Sequence, residues 1–136
     1  IFVDMCNKRF ASNKNIHIHH ANSKNDLYNI IKDINVPITF WLDSHWSGCT
    51  DVGCDEEVIC PIIHELNQIK LHSIKNHTII IDDIRLMNGS NNRYTGFPIN
   101  LNEILKTINE INPNYVIKYY DDVTAKNDVL VAFISK

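Results

Sequence analysis

No apolar run in the 136-residue chain approaches the roughly 20 residues that a helix needs to cross a bilayer, and no basic-then-apolar leader with a small-residue cleavage site is legible. Basic charge is also scarce. Thirteen Lys and Arg stand against sixteen Asp and Glu, for a net charge of −3, and the two signs are interspersed. There is no basic stripe to follow a phosphate backbone and no polybasic cluster for an anionic membrane. Nucleic acid and membrane are therefore not expected partners, and the plain expectation is a soluble, cytoplasmic protein. The cysteines are four (Cys6, Cys49, Cys54 and Cys60) in a chain that is 44% hydrophobic. Such a chain builds its core without disulfides, so they read as thiols. Repeats, low-complexity tracts and linkers are missing as well, which leaves one domain over residues 1–136. The chain opens on Ile1 rather than Met, which reads as a fragment, a trimmed form or a processed product.

What is present is an alternation of apolar runs and amphipathic stretches. "NIHIHHA" alternates like a strand. From Ser23 onward, Leu27, Ile30, Ile31 and Ile34 fall at helical spacing, with Ser23 placed as N-cap and Asp26 as its acidic partner. "PITFWLD" is a near-continuous apolar run, the pattern of a strand buried on both faces. Pro61 suits the first turn of a second helix with the stripe Ile59, Ile62, Ile63, Leu66 and Ile69, and Asp55, Glu56 and Glu57 lie toward the positive end of its dipole. "HTIIIDD" reads as another buried strand, and "NGSNNRYTG" as a long polar loop. Asn100 and Glu103 cap a third helix with the stripe Leu101, Ile104, Leu105, Ile108 and Ile111, which Pro113 closes. "YVIKYYDD" and "DVLVAFISK" follow with no helix between them, and so predict an antiparallel pair. Strands alternating with helices predict an α/β layer with a mostly parallel sheet and flanking helices.

In open sheets of this kind ligands bind beyond the carboxyl ends of the strands. Two of the predicted strands end there in acid: "ITFWLDSHW" delivers Asp43, Ser44, His45 and Trp46, and "TIIIDD" delivers Asp82 and Asp83. Converging carboxylates repel one another unless a hard divalent cation such as Mg²⁺ sits among them. Acids at strand ends also arise as a mere water-facing rim, and both readings stand at this point. His17 and His19 share a face of the first predicted strand and could hold zinc, although solvent-facing positions alternating with Ile16 and Ile18 explain them as well. Cys49, Cys54 and Cys60 near His45 or His64 are spaced more widely than the paired cysteines of zinc fingers.

"ITFWLDSHWSG" followed by "TIIIDDIRL" resembles the fourth and fifth strands of class I S-adenosylmethionine-dependent methyltransferases, and within them the metal-dependent O-methyltransferases of the catechol and macrocin types. "NIHIHHANSKNDLYNII" looks like the third strand and its helix, and the closing strand pair like the sixth and seventh strands. The resemblance implies a Rossmann-like sheet, N-terminally truncated, because the family's glycine-rich turn has no counterpart: Gly48, Gly53, Gly89 and Gly96 all fall in later loops. It implies a divalent metal on Asp43, Asp82 and Asp83, with His45 as the base that takes the acceptor's proton. It implies S-adenosylmethionine against Asn22, Ser23, Asp43 and Ser44, and a small-molecule or sugar hydroxyl as methyl acceptor. A homo-oligomer is left open. The rival expectations are a non-catalytic domain that keeps the fold and a metal-dependent hydrolase using Asp43, His45 and the acid pair.

Overall fold

The computed structural model describes residues 1–46, 59–92 and 94–135. Its elements run α1 (Phe2–Phe10), α2 (Ser23–Ile31), β1 (Thr39–Leu42), α3 (Ile62–Leu71), β2 (Thr78–Ile81), a single 3₁₀ turn (Ile84–Leu86), α4 (Leu101–Ile111), β3 (Tyr115–Tyr120) and β4 (Val129–Ile134). The fold is α/β, with one four-stranded sheet in the order β1-β2-β4-β3. β1 and β2 are parallel, in register from Thr39 with Thr78 to Leu42 with Ile81. β4 lies between β2 and β3 and is antiparallel to both. The expected antiparallel closing pair is present. The sheet as a whole is mixed rather than mostly parallel, since β4 runs backward through its middle and two of its three pairings are antiparallel.

The helices form where capping and apolar spacing coincide. α4 starts at Asn100, whose side chain accepts the Glu103 N–H at 3.0 Å, and buries Ile104, Thr107, Ile108 and Ile111. α3 starts one residue after Pro61 and buries Ile62, Glu65, Leu66 and Ile69. α2 is capped one residue earlier than the sequence suggests. Asn22, as good a cap as serine, accepts the Lys24 N–H at 3.0 Å, while Asp26 reaches back to the Asn22 N–H at 2.8 Å. Ser23 thereby becomes the first helical residue, and Ile34 falls beyond the helix.

Phe40, Leu42, Ile79, Ile81, Leu130 and Ala132 face α2, α3 and α4 in one core with Leu66, Ile69, Ile104 and Ile108. The opposite sheet face is covered by no helix among the described residues, so β1 is buried on one face only and Trp41 is 60% exposed. That corrects the expectation of a strand buried on both sides. "NIHIHHA" forms no strand either: it pairs with nothing, and of residues 15–21 only Ile18 is even half-buried, so its alternation has no face to bury. His17 and His19 lie exposed on this coil and belong to no three-ligand group among the described residues. Residues 2–10 form α1, which buries none of its residues. Asp55, Glu56, Glu57, Cys49 and Cys54 lie outside the described residues.

Candidate metal centre at the sheet rim

The parallel pairing of β1 and β2 sets the site. Because Leu42 stands opposite Ile81, the next residues, Asp43 and Asp82, leave the sheet side by side, and the Asp82 N–H continues the ladder onto the Leu42 carbonyl at 3.2 Å. Asp83 then turns through the left-handed region (φ 56°, ψ 38°), which aspartate tolerates better than most residues. Its N–H is held by Asp82 Oδ1 at 2.9 Å. This turn swings the Asp83 carboxylate across to the loop after β1, where His45 Nε2 donates to Asp83 Oδ2 at 2.6 Å and lies 3.4 Å from Asp43 Oδ1. One ligand atom from each of Asp43, His45 and Asp83 falls within 4.8 Å of the others. Asp82, expected as a ligand, stands beside this group rather than in it, with one oxygen engaged by the Asp83 backbone.

The imidazole is held on every side. Its Nδ1 is 3.2 Å from the Trp46 carbonyl oxygen, and its ring packs 5.1 Å from that of Phe97, a fully buried residue of the loop before α4. Trp46 in turn donates its N–H to the Ile59 carbonyl and meets Tyr94 edge to face.

Behind Asp83 lies a second layer that the sequence reading missed. Asp83 Oδ1 is 2.5 Å from Arg85 Nη1, and the same nitrogen donates to Asp128 Oδ2. Asp128, whose side chain is wholly buried, also accepts the Arg85 backbone N–H at 2.7 Å, and its carbonyl accepts the Ile84 N–H at 2.9 Å. Asp128 reaches the rim because β4 runs antiparallel to β2, which puts the start of β4 beside the end of β2. The sign of this region is negative. Burial holds the Asp43 carboxyl above its usual range; His45 opposes that rise, and Asp82 and Asp83 add to it. A divalent cation relieves such crowding.

The expected cofactor rim is held together internally. The Asn22 side chain caps α2, and the hydroxyls of Ser23 and Ser44 both lie against Glu65, a carboxylate of α3 that is 1% exposed. Two residues expected at one site from separate stretches of sequence are therefore joined, though through a group that the sequence reading did not single out. Cys60, which borders a small cavity with Asp43, Ser44, His45 and Glu65, points its thiol at Met87 Sδ, and burial pushes the thiol up to about 11, well away from reactive thiolate character.

The sequence matches no protein-family model, no curated protein and no solved structure. No helix of the described residues is long and apolar enough to cross a membrane.

Proposed function

We propose that this chain carries the metal- and acceptor-binding side of a methyltransferase that moves a methyl group from S-adenosylmethionine to an oxygen of a small molecule or sugar. The observation that carries the reading is the convergence of Asp43, His45 and Asp83 at the carboxyl ends of two parallel strands. The reversed strand pair that closes the sheet supports the Rossmann-like arrangement to which the resemblance points. Two carboxylates and one imidazole suit a divalent ion that accepts both oxygen and nitrogen, so Mn²⁺ fits this donor set at least as well as Mg²⁺.

When bound, the ion supplies Lewis-acid activation of the acceptor hydroxyl, and S-adenosylmethionine supplies the methyl group. The chain's own groups do the positioning. Asp43 and Asp83 offset the positive charge, Arg85 fixes the angle of Asp83, and Phe97 fixes the plane of His45. His45 Nε2 is the nitrogen that faces the acids, so ligation and proton uptake compete for one atom; the geometry favours ligation. The rim expected for S-adenosylmethionine offers few free side chains, since Asn22, Ser23 and Ser44 are engaged internally.

Calorimetric titration with Mn²⁺ and Mg²⁺, followed by S-adenosylmethionine, tests this on the chain itself and on the chain extended upstream. Metal binding that depends on Asp83, with S-adenosylmethionine binding to at least the longer form, is the expected result. Metal binding without any S-adenosylmethionine binding moves the site to metal-dependent hydrolysis, and absence of both leaves a rim of structural acids.

A further inference from the structure

Glu65 is a buried carboxylate with no cationic partner among the described residues. It sits in the first turn of α3, is 1% exposed, and burial holds its carboxyl above the usual range. Its place in the sequence is on the buried stripe of the helix, with Ile62, Leu66 and Ile69 as neighbours. An apolar residue there would extend the core without the cost of desolvating a carboxyl group, which is several kcal/mol before compensation. Stability alone therefore does not explain a carboxylate at this position.

Its contacts do. Ser23 comes from the first turn of α2 and Ser44 from the turn after β1, and both hydroxyls lie against the Glu65 carboxyl and oppose the rise that burial gives it. Ser44 is the residue between Asp43 and His45, so fixing it limits the two side chains that face the metal position. Gln68, one turn further along α3, grips the same end of α2. Its Nε2 donates to the Ser23 and Lys24 carbonyls at 2.7 and 2.8 Å, and its Oε1 accepts the Tyr28 N–H at 2.9 Å. Glu65 also borders a cavity of about 10 Å³ with Asp43, Ser44, His45 and Asp82, room for about one water.

We infer that Glu65 is a positioning residue, the joint through which α3 locks the Asp43–His45 turn and the start of α2 into one rim. The inference rests on the proposed function for its purpose, while the joint itself is a property of the chain without metal. Glu65 would not touch the ion or the acceptor. It acts through Ser44, as outer-layer partners of metal ligands commonly act through the ligand they orient.

The test uses Glu65→Leu and Glu65→Gln, with Ile69→Val as a control that weakens the same helix without touching the rim. In the metal-free chain, nitrogen-15 and proton NMR of the His45 ring reports whether its bonds to Asp83 and to the Trp46 carbonyl persist. Glu65→Leu is expected to move the His45 signals and to lower Mn²⁺ affinity at least tenfold, even where it leaves thermal stability unchanged or raised. Glu65→Gln, whose carboxamide oxygen still accepts a serine hydroxyl, is expected to recover most of both. Ile69→Val is expected to lower the melting temperature and leave His45 as it is. Unmoved His45 signals in Glu65→Leu overturn the inference, as does an equal change in Ile69→Val. If the unsubstituted chain binds no Mn²⁺, the proposed function fails, and the NMR comparison still decides the role of Glu65.

Discussion

His45 Nε2 and Asp83 Oδ2 lie 2.6 Å apart, although 38 residues separate them in the chain. The contact depends on the parallel register of β1 and β2 and on the left-handed turn at Asp83. It closes the group that includes Asp43, so removing Asp83 removes a donor and loosens the imidazole together. Asp83→Ala is expected to lower Mn²⁺ affinity by at least tenfold, the loss typical of disturbing even an outer partner of a metal site. Calorimetry at fixed pH reads this directly, and unchanged affinity would remove the metal assignment.

The Arg85–Asp128 pair behind the site makes a different prediction. Asp128 is buried and Arg85 is 40% exposed, so the two truncations are unequal. Arg85→Ala strands a buried carboxylate that keeps only a backbone donor, and is expected to cost about 3–5 kcal/mol of stability. Asp128→Ala leaves the more exposed Arg85 still paired with Asp83 and open to water, and is expected to cost less. The double variant should be more stable than the sum of the two losses predicts, because the stranded charge is gone. Urea denaturation of all four forms checks this, and strict additivity would show that the pair contributes no coupling.

The same two residues show where sequence reading stops. Asp43, His45 and Asp83 were legible because each falls within three residues of the end of an apolar run that reads as a strand, and strand ends at a sheet rim are where ligands bind. Arg85 and Asp128 were not, since their meeting requires β4 to pass between β2 and β3 in reverse, a pairing that no local pattern encodes. Glu65 carried a signal that was overlooked: 62, 65, 66 and 69 is one helical face, and a carboxylate at its second position is a buried carboxylate. "NIHIHHA" failed in the other direction. Its period of two is real, but alternation yields a strand only where a neighbour completes the ladder and a core takes one face.

The loop before α4 offers a test of how His45 is seated. An added Cβ at Gly96 would run into the carboxamide of Asn88, whose Nδ2 donates to the Thr95 carbonyl at 2.8 Å. Gly96→Ala must therefore break the Asn88 bond to Thr95 or shift the backbone next to Phe97, whose ring packs on His45. A loss of about 1–3 kcal/mol is expected, the usual range for overpacking, with displaced His45 ring signals by NMR. A stable variant with unmoved His45 would show that the turn at Gly96 does not set the position of Phe97 against the imidazole.

A second histidine pair predicts acid sensitivity far from the rim. The Ile38 N–H donates to His77 Nδ1 at 3.0 Å, which leaves the His77 proton on Nε2, where it points at His72 Nδ1 at 3.1 Å; His72 Nε2 then donates to the Ile31 carbonyl at 3.1 Å. Both rings are buried and the chain of bonds joins the end of α2 to the starts of β1 and β2. A further proton on His77 would have to displace the Ile38 N–H. Burial first, then the neighbouring His72, pushes His77 down to about 4 from 6.5. Between these values the unfolded chain binds a proton that the folded chain does not. The contribution is therefore complete above pH 6.5 and is lost as the pH falls toward 4, by about 3 kcal/mol over the window. His77→Asn keeps an acceptor for Ile38 without a titrating ring, so its stability should fall less steeply from pH 7 to pH 4 in urea denaturation. Parallel pH profiles for the two proteins would reject this account and place the acid sensitivity in the carboxylates instead.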